Sequence, residues 1–267
     1  MSLNLSLSDL EKVRFFLGDV RDKDRLSIAL KDVDYVVHAA ALKQVPAGEY
    51  NPFEFIKTNV IGAQNLIEAC ISNNVKKLVG LSTDKATSPI NLYGATKLCS
   101  EKLFVAAQNM FGRKNKLRIS IVRYGNVFAS RGSVVPLFLK QKEKGVLTLT
   151  DKKMTRFNLF LQDGINTVMW ALNNTNGGEI VVPRAKSIKI NEVAKIIGSK
   201  CKIKIIGKRP GEKLHEELIS SAESYSSIDL GKYILILPEN SKKNYLKHYS
   251  KKFKFKNFPK NISYNSC

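Results

Sequence analysis

The stretch Lys77-Leu-Val-Gly-Leu-Ser-Thr-Asp-Lys85, followed by Asn91-Leu-Tyr-Gly-Ala-Thr-Lys97, decides how this chain is read. Its first half is a short apolar run that ends in a polar cluster, the pattern of a buried strand. Its second half opens a helical pattern over residues 91–110. Three more runs, Val13–Leu17, Tyr35–His38 and Ile119–Tyr124, also read as buried strands, with helical patterns among them. Asn51-Pro52 is expected to cap a helix running to about Ser72, with Pro at its first position and an apolar stripe of Phe55, Val60, Ile61, Leu66 and Ile67. Strand–helix–strand alternation predicts βαβ units and a parallel α/β sheet covered on both faces. Ligands of such sheets bind beyond the carboxyl ends of the strands, which is where Ser82–Lys85 falls.

Outward from this segment the pattern loosens. After about residue 125 the sequence predicts a helix over 133–143, an Asp163-capped helix to Leu172 and a strand at Glu179–Val182. A helix near 190–197 and a strand at Lys202–Ile206 follow, together a smaller α+β lobe. The formal net charge is +21, divided as +6 over residues 1–130 and +15 over 131–267. Eight lysines and no acid lie in 240–267, a basic tail of which residues 241–260 are expected to be poorly ordered. Such a surplus suits an anionic ligand, nucleic acid or anionic surface. In the tail the lysines are spread among Asn, Ser and Tyr with no aromatic–basic interleaving, so a solvated surface is expected and neither nucleic acid nor membrane as partner. No apolar run approaches the ~18 residues of a membrane span, and the start MSLNLSLSDLEKV has no signal-peptide pattern. Cys70, Cys99, Cys201 and Cys267 have no zinc-clip spacing, so no metal is expected and the thiols read as reduced, in a cytoplasmic protein.

Tyr93 and Lys97 are four apart, on one face of the predicted helix. A tyrosine of ordinary pKa ~10 is a poor base at neutral pH, and a nearby ammonium favours its phenolate. The pair could then take a proton from a sugar hydroxyl while hydride leaves the same carbon. On its own such spacing is as common on a solvated helix face. Thr83, Asp84 and Lys85 just upstream, at a strand's carboxyl end, make chemistry the stronger reading. His38 on an apolar run reads as a packed histidine, and Met154 and Trp170 as packing residues.

Longer stretches carry a resemblance. They are Gly18–Asp22, His38–Pro46, Glu49–Pro52, Lys57–Asn59, Leu81–Lys85, Asn91–Lys97, Val122–Val127, Ser130–Val134, Met154–Phe157 and Arg209–Glu216. The chain resembles the extended short-chain dehydrogenase/reductases. Within them it is similar to the C5-inverting UDP-N-acetylglucosamine 4,6-dehydratases of pseudaminic acid and polysaccharide biosynthesis, over about residues 13–240. The resemblance implies a Rossmann-like doubly wound sheet. It implies a dinucleotide-binding domain over 1–125, mainly a substrate lobe over 126–240, and the basic tail over 241–267.

What the family does is then expected here. Oxidation at C4 acidifies the C5 hydrogen; Lys85 is implied as the C5 base, Asp84 as the acid for the C6 hydroxyl, and Tyr93 as the catalytic tyrosine. Lys85 can be a base only with a lowered pKa, which desolvation and Lys97 would supply. Asp-Lys at 84–85, rather than Asp-Glu or small residues, marks the inverting dehydratases off from classical dehydratases and from 4-epimerases, the alternative activity. Cofactor contacts are implied for Asp19, Val20, Ala39, Ala40, Ala41, Lys43, Thr58, Asn59, Tyr93, Lys97 and Val127. UDP-sugar contacts are implied for Lys43, Thr83, Asn126, Arg131, Gly132, Ser133, Val134, Arg209 and Glu212. The cofactor is expected to be NADP, or NAD, and the complete form a homo-oligomer.

One departure shapes the expectation. The first 60 residues contain only Gly18 and Gly48, so no glycine-rich turn stands ready for a pyrophosphate. The first βαβ unit is absent, and a gap in the sheet with exposed apolar edges is predicted. The chain is thus expected to carry a full catalytic set beside half a cofactor site, with weak dinucleotide binding and slight turnover. The competing expectation is a fragment that binds UDP-sugar or a partner subunit without turnover.

Overall fold

A computed structural model describes residues 11–110, 116–130, 132–239 and 242–267. Helix α1 (Lys23–Ala29) leads to β1 (Tyr35–His38), then α2 (Val45–Tyr50) and α3 (Pro52–Phe55). A π-helical turn, Ile56–Ile61, joins α3 to α4 (Gly62–Ser72). Strand β2 (Lys77–Thr83), a 3₁₀ turn (Asp84–Ala86), α5 (Leu92–Met110) and β3 (Arg118–Tyr124) follow. The expected helix from Pro52 to Ser72 is therefore interrupted by the wider π turn. Asn51 caps no N–H with its side chain, and α2, with Pro46 in its first turn, was not foreseen.

The chain continues through β4 (Asn126–Val127), α6 (Val134–Lys142), β5 (Val146–Leu149), β6 (Thr155–Leu159) and α7 (Leu161–Asn174). Next come β7 (Ile180–Pro183), β8 (Lys186–Lys189), α8 (Ile190–Ile197) and β9 (Lys202–Ile205). The last elements are β10 (Glu217–Ile219), α9 (Ser221–Ser224), β11 (Ser227–Asp229), β12 (Tyr233–Ile236), α10 (Lys242–Ser250), β13 (Lys256–Asn257) and β14 (Tyr264–Asn265). Asp163 stands at the third position of α7 and accepts the Phe160 N–H at 3.2 Å, so it assists the cap rather than being it.

The main sheet has the order β1-β2-β3-β7-β12-β11-β13, parallel from β1 to β7 and antiparallel beyond. Alternation along its strands sorts two cores. Leu78, Ile119, Ile121, Ile180, Val182, Ile234 and Ile236 face α4 and α5 with Ala63, Ile67 and Phe104. Val79, Val122, Val181, Tyr233 and Leu235 face α7 and α10 with Ala171, Tyr245 and Tyr249. Burial on both faces is why these strands read as continuous apolar runs. A third cluster of Phe138, Leu147, Leu149, Met154, Ile190 and Ala194 is the core of the smaller lobe. Trp170 packs on Tyr233 with centroids 4.7 Å apart.

Three expectations are corrected. Val13–Leu17 forms no strand: Leu17 is 92% exposed, Phe15 is exposed too, and the segment pairs with no strand among the described residues. Among the described residues the sheet ends instead at β1, whose Tyr35 and Val37 side chains are exposed, in line with the predicted open edge. Second, the chain after 126 does not stay in the lobe, since β7, β11 and β12 extend the main sheet. Third, the basic tail from Lys242 on is built into the fold: Tyr249 Oη donates to Glu179 at 2.8 Å, and Tyr245 and Tyr249 anchor α10 beneath the sheet.

Candidate active site

Beyond the carboxyl ends of β1, β2 and β3 lies a cleft of about 1140 Å³, closed on the far side by lobe residues. Strand β2 delivers Thr83, and the 3₁₀ turn after it presents Asp84 and Lys85. Helix α5 starts at once; Asn91 Oδ1 accepts the Gly94 N–H at 2.8 Å, and Glu49 accepts the Leu92 N–H at 2.7 Å, so its first turn is satisfied. Position 94 must be glycine because a Cβ there would collide with the Lys85 carbonyl oxygen. Gly125 is held likewise: a Cβ would lie 2.6 Å from Phe157 Cβ and 3.2 Å from Asp84 Oδ2. Gly94 lets α5 press on the Lys85 backbone, and Gly125 lets the chain pass close to the Asp84 carboxylate.

Asp84 is fully buried, and Lys85 Nζ donates to its Oδ1 at 3.0 Å. Glu216, 2% exposed, brings Oε1 to 3.3 Å from the same Nζ. Burial pulls the Lys85 ammonium down, but the attraction of Asp84 and Glu216 outweighs it, with Arg156 opposing, and Lys85 is held above the ordinary lysine value. This corrects the expectation that desolvation and Lys97 leave it a ready base. Lys97 Nζ instead donates to the Leu81 carbonyl at 2.7 Å, and desolvation lowers its pKa to about 8. Burial pushes Tyr93 up, while the Lys85 charge and a hydrogen bond with Thr83 pull it back. The ammonium that bears on Tyr93 is thus that of Lys85.

Ala39, Ala41, Lys43, Thr83, Asp84, Lys85, Tyr93, Lys97, Asn126, Val127, Gly132, Ser133, Val134, Arg209 and Glu212 all line the cleft. Arg131 lies outside the described residues. Asp19, Val20, Ala40, Thr58 and Asn59 are not among the lining residues. Asp19 is bound to Arg21 at 2.7 Å, and Val20 packs on Gly62. Asn59, buried on the π turn, accepts the Leu42 N–H at 2.9 Å and donates to the Leu42 carbonyl at 2.9 Å and to Thr96 at 3.1 Å. It braces the loop carrying Lys43.

Among the described residues, five buried polar atoms of the cleft lining have no protein partner: Ser82 Oγ, Asp84 Oδ2, Asn126 Oδ1, Ser133 Oγ and Glu216 Oε2. Unpaired buried polar groups are costly, and a polar ligand would relieve them. Of the expected cofactor contacts, Ala39, Tyr93 and Lys97 meet in the cleft beside Ser82, whereas Asp19 and Val20 lie apart from it. Glu216 and Arg156 escaped functional assignment in the sequence, although both stand inside the motifs Arg209–Glu216 and Met154–Phe157. His38 is packed as expected, edge-on to Phe104 at 5.9 Å, and burial with the Lys97 charge lowers its pKa to about 4. Cys70 is buried, Cys201 half-buried, and all four thiols are free.

The fold, an α/β sheet with its cleft at a run of strand ends, and a Tyr-Lys helix beside it are those of the short-chain dehydrogenase/reductases. Residues 3–238 match the model of the polysaccharide biosynthesis protein family, and the chain belongs to that family. It is 54% identical over 228 residues to a UDP-N-acetylglucosamine 4,6-dehydratase (inverting) of Campylobacter jejuni (strain 81-176), covering 85% of this chain and 68% of the relative. It is 44% identical over 252 residues to a UDP-glucose 4-epimerase of Rickettsia canadensis, covering 92% of this chain and 73% of that one. Among solved structures, Pen from Bacillus thuringiensis superposes with a TM-score of 0.85 at 37% identity, covering 95% of this chain and 77% of Pen.

Proposed function

We propose that the chain is a nucleotide-sugar 4,6-dehydratase acting on UDP-N-acetylglucosamine with inversion at C5. The observation that carries this reading is the buried Asp84–Lys85 pair, 3.0 Å apart, at the foot of the cleft. A bound nicotinamide dinucleotide, NADP or NAD, supplies the acceptor for the C4 hydride and its donor to C6. Tyr93 takes the proton of the C4 hydroxyl. Dehydration then needs a base at C5 and an acid at C6. As it stands the pair is a carboxylate and an ammonium. One proton moved from Lys85 Nζ to Asp84 Oδ1 turns it into an amine and a carboxylic acid, which are the required base and acid. A sugar that fills the cleft expels water and so penalises the charged form of the pair against the neutral one. Lys85 takes the C5 proton, and Asp84 gives its proton to the leaving C6 hydroxyl; once hydride has returned to C6, C5 takes a solvent proton on the face opposite Lys85, which sets the inversion. Asn126, Ser133, Arg209 and Glu212, with Lys43 and Thr83, hold the UDP-sugar, and the Arg209 guanidinium suits its diphosphate.

The 44% identity to a 4-epimerase favours a second reading, in which C4 is oxidised and reduced from the other face. That reaction asks nothing of an acid and base at C5 and C6. The test is the chain with UDP-N-acetylglucosamine and NADP, read by mass spectrometry. Loss of water that disappears in Lys85→Ala supports the dehydratase. A product of unchanged mass supports the epimerase.

A further inference from the structure

Glu216 has no role in the reaction as written above, yet it stands in the reacting centre. It precedes β10, is 2% exposed and lines the cleft. Its Oε1 is 3.3 Å from Lys85 Nζ, and its Oε2 has no hydrogen-bond partner. The backbone fixes it, since the Glu216 N–H donates to Ser266 Oγ at 2.9 Å and Ser266 N–H returns to the Glu216 carbonyl at 2.8 Å. Arg156 Nε lies 3.8 Å away, too far for a close pair, because its guanidinium is spent on the carbonyls of Thr155, Lys213 and Leu214. A buried carboxylate with a free oxygen and no closer cation than Lys85 is costly unless it serves that lysine.

We propose that Glu216 is the positioning residue of Lys85: it aims the amine and stabilises the ammonium that forms when Lys85 takes a proton from carbon. This rests on the dehydratase reading. Asp84 cannot do this alone. When Lys85 gains the C5 proton, Asp84 is passing its own to the departing hydroxyl, so only a second carboxylate stays charged throughout. The charges facing Lys85 are Asp84 on its own turn, Glu216 before β10, Arg156 on β6, Tyr93 on α5 and Lys213 in the loop before Glu216. Of these, Glu216 and Asp84 favour the ammonium, and Arg156 opposes it. In the elimination one proton moves from C5 to Lys85 and one from Asp84 to the C6 oxygen; the proton that C5 takes up afterwards, on the opposite face, comes from solvent.

The test needs no substrate. Limiting acetic anhydride is applied to the purified chain across a pH series, and the acetylation of each lysine is read by peptide mass spectrometry. Glu216→Gln is expected to move the labelling of Lys85 to lower pH by about one unit or more, a tenfold loss of proton affinity. Lys213, which Glu216 also attracts, should move the same way, and Lys97 should not move. Glu216→Asp draws the charge back by one methylene and should give a smaller shift of the same sign, so it carries the test if the Gln variant does not fold. Lys85 labelling at the unaltered pH in a folded variant overturns the proposal. Turnover of UDP-N-acetylglucosamine by the unaltered chain tests the dehydratase reading separately: a shift without turnover upholds the pairing and sinks the reaction.

Discussion

Protonation of His38 should destabilise this protein, and the size of the effect follows from the structure. The ring is 4% exposed, its Nε2 has no partner, and it lies against Phe104 with the Lys97 ammonium nearby. Burial first, and that charge second, lower its pKa from 6.5 to about 4. The unfolded chain therefore binds the proton below pH 6.5, while the folded chain refuses it until about pH 4. Stability is unaffected by this group above pH 6.5 and falls as pH drops through that window. At about 1.4 kcal/mol for each pH step, the loss saturates at roughly 3 kcal/mol. His38→Leu cannot take up the proton. Urea unfolding of both proteins at pH 7, 5.5 and 4 gives the difference in acid loss between them, with other titrations cancelling. The unaltered chain should lose about 3 kcal/mol more than the variant between pH 7 and 4. Equal losses in the two would refute the account of a buried, unpartnered histidine beside Lys97.

Gly94→Ala should destabilise the chain by at least 1–3 kcal/mol, and abolish turnover, because the added methyl drives the Lys85 backbone from its place; a thermal melt and a product assay check both. Glu101→Gln should cost roughly 3–5 kcal/mol by urea unfolding, since Arg123, fully buried, is held by Glu101 at 2.6 Å and Glu223 at 2.8 Å. Arg209→Ala should weaken UDP binding about tenfold or more by calorimetry while leaving the melting temperature within experimental error, because this side chain is exposed at the cleft.

Much of this was legible in the chain because it is written locally. Strand β2, its polar terminus and the Tyr93–Lys97 helix are consecutive, and burial on both faces leaves an unbroken apolar run. Val13–Leu17 has the same composition but no strand beside it, and a strand needs a neighbour that sequence alone does not supply. The return of β11 and β12 to the main sheet was missed for the converse reason: these strands pair with β7 and with each other across loops that look like any lobe. The Tyr245–Tyr249 face of α10 was hidden among lysines, since two buried tyrosines weigh little in a count of charge. The cleft residues came through their motifs. The charge state of Lys85 did not, because beside the neighbouring Asp84 it depends on Glu216, far along the chain, and only the folded geometry brings Glu216 to 3.3 Å from the ammonium.

The most direct measurement is a proton NMR spectrum of the chain with UDP-N-acetylglucosamine and NADP in deuterated water. The account predicts a 4-keto-6-deoxy sugar with inverted configuration at C5 and deuterium at that carbon, and none of either with Lys85→Ala. UDP-N-acetylgalactosamine with its C5 hydrogen retained, or substrate left unchanged, would contradict it.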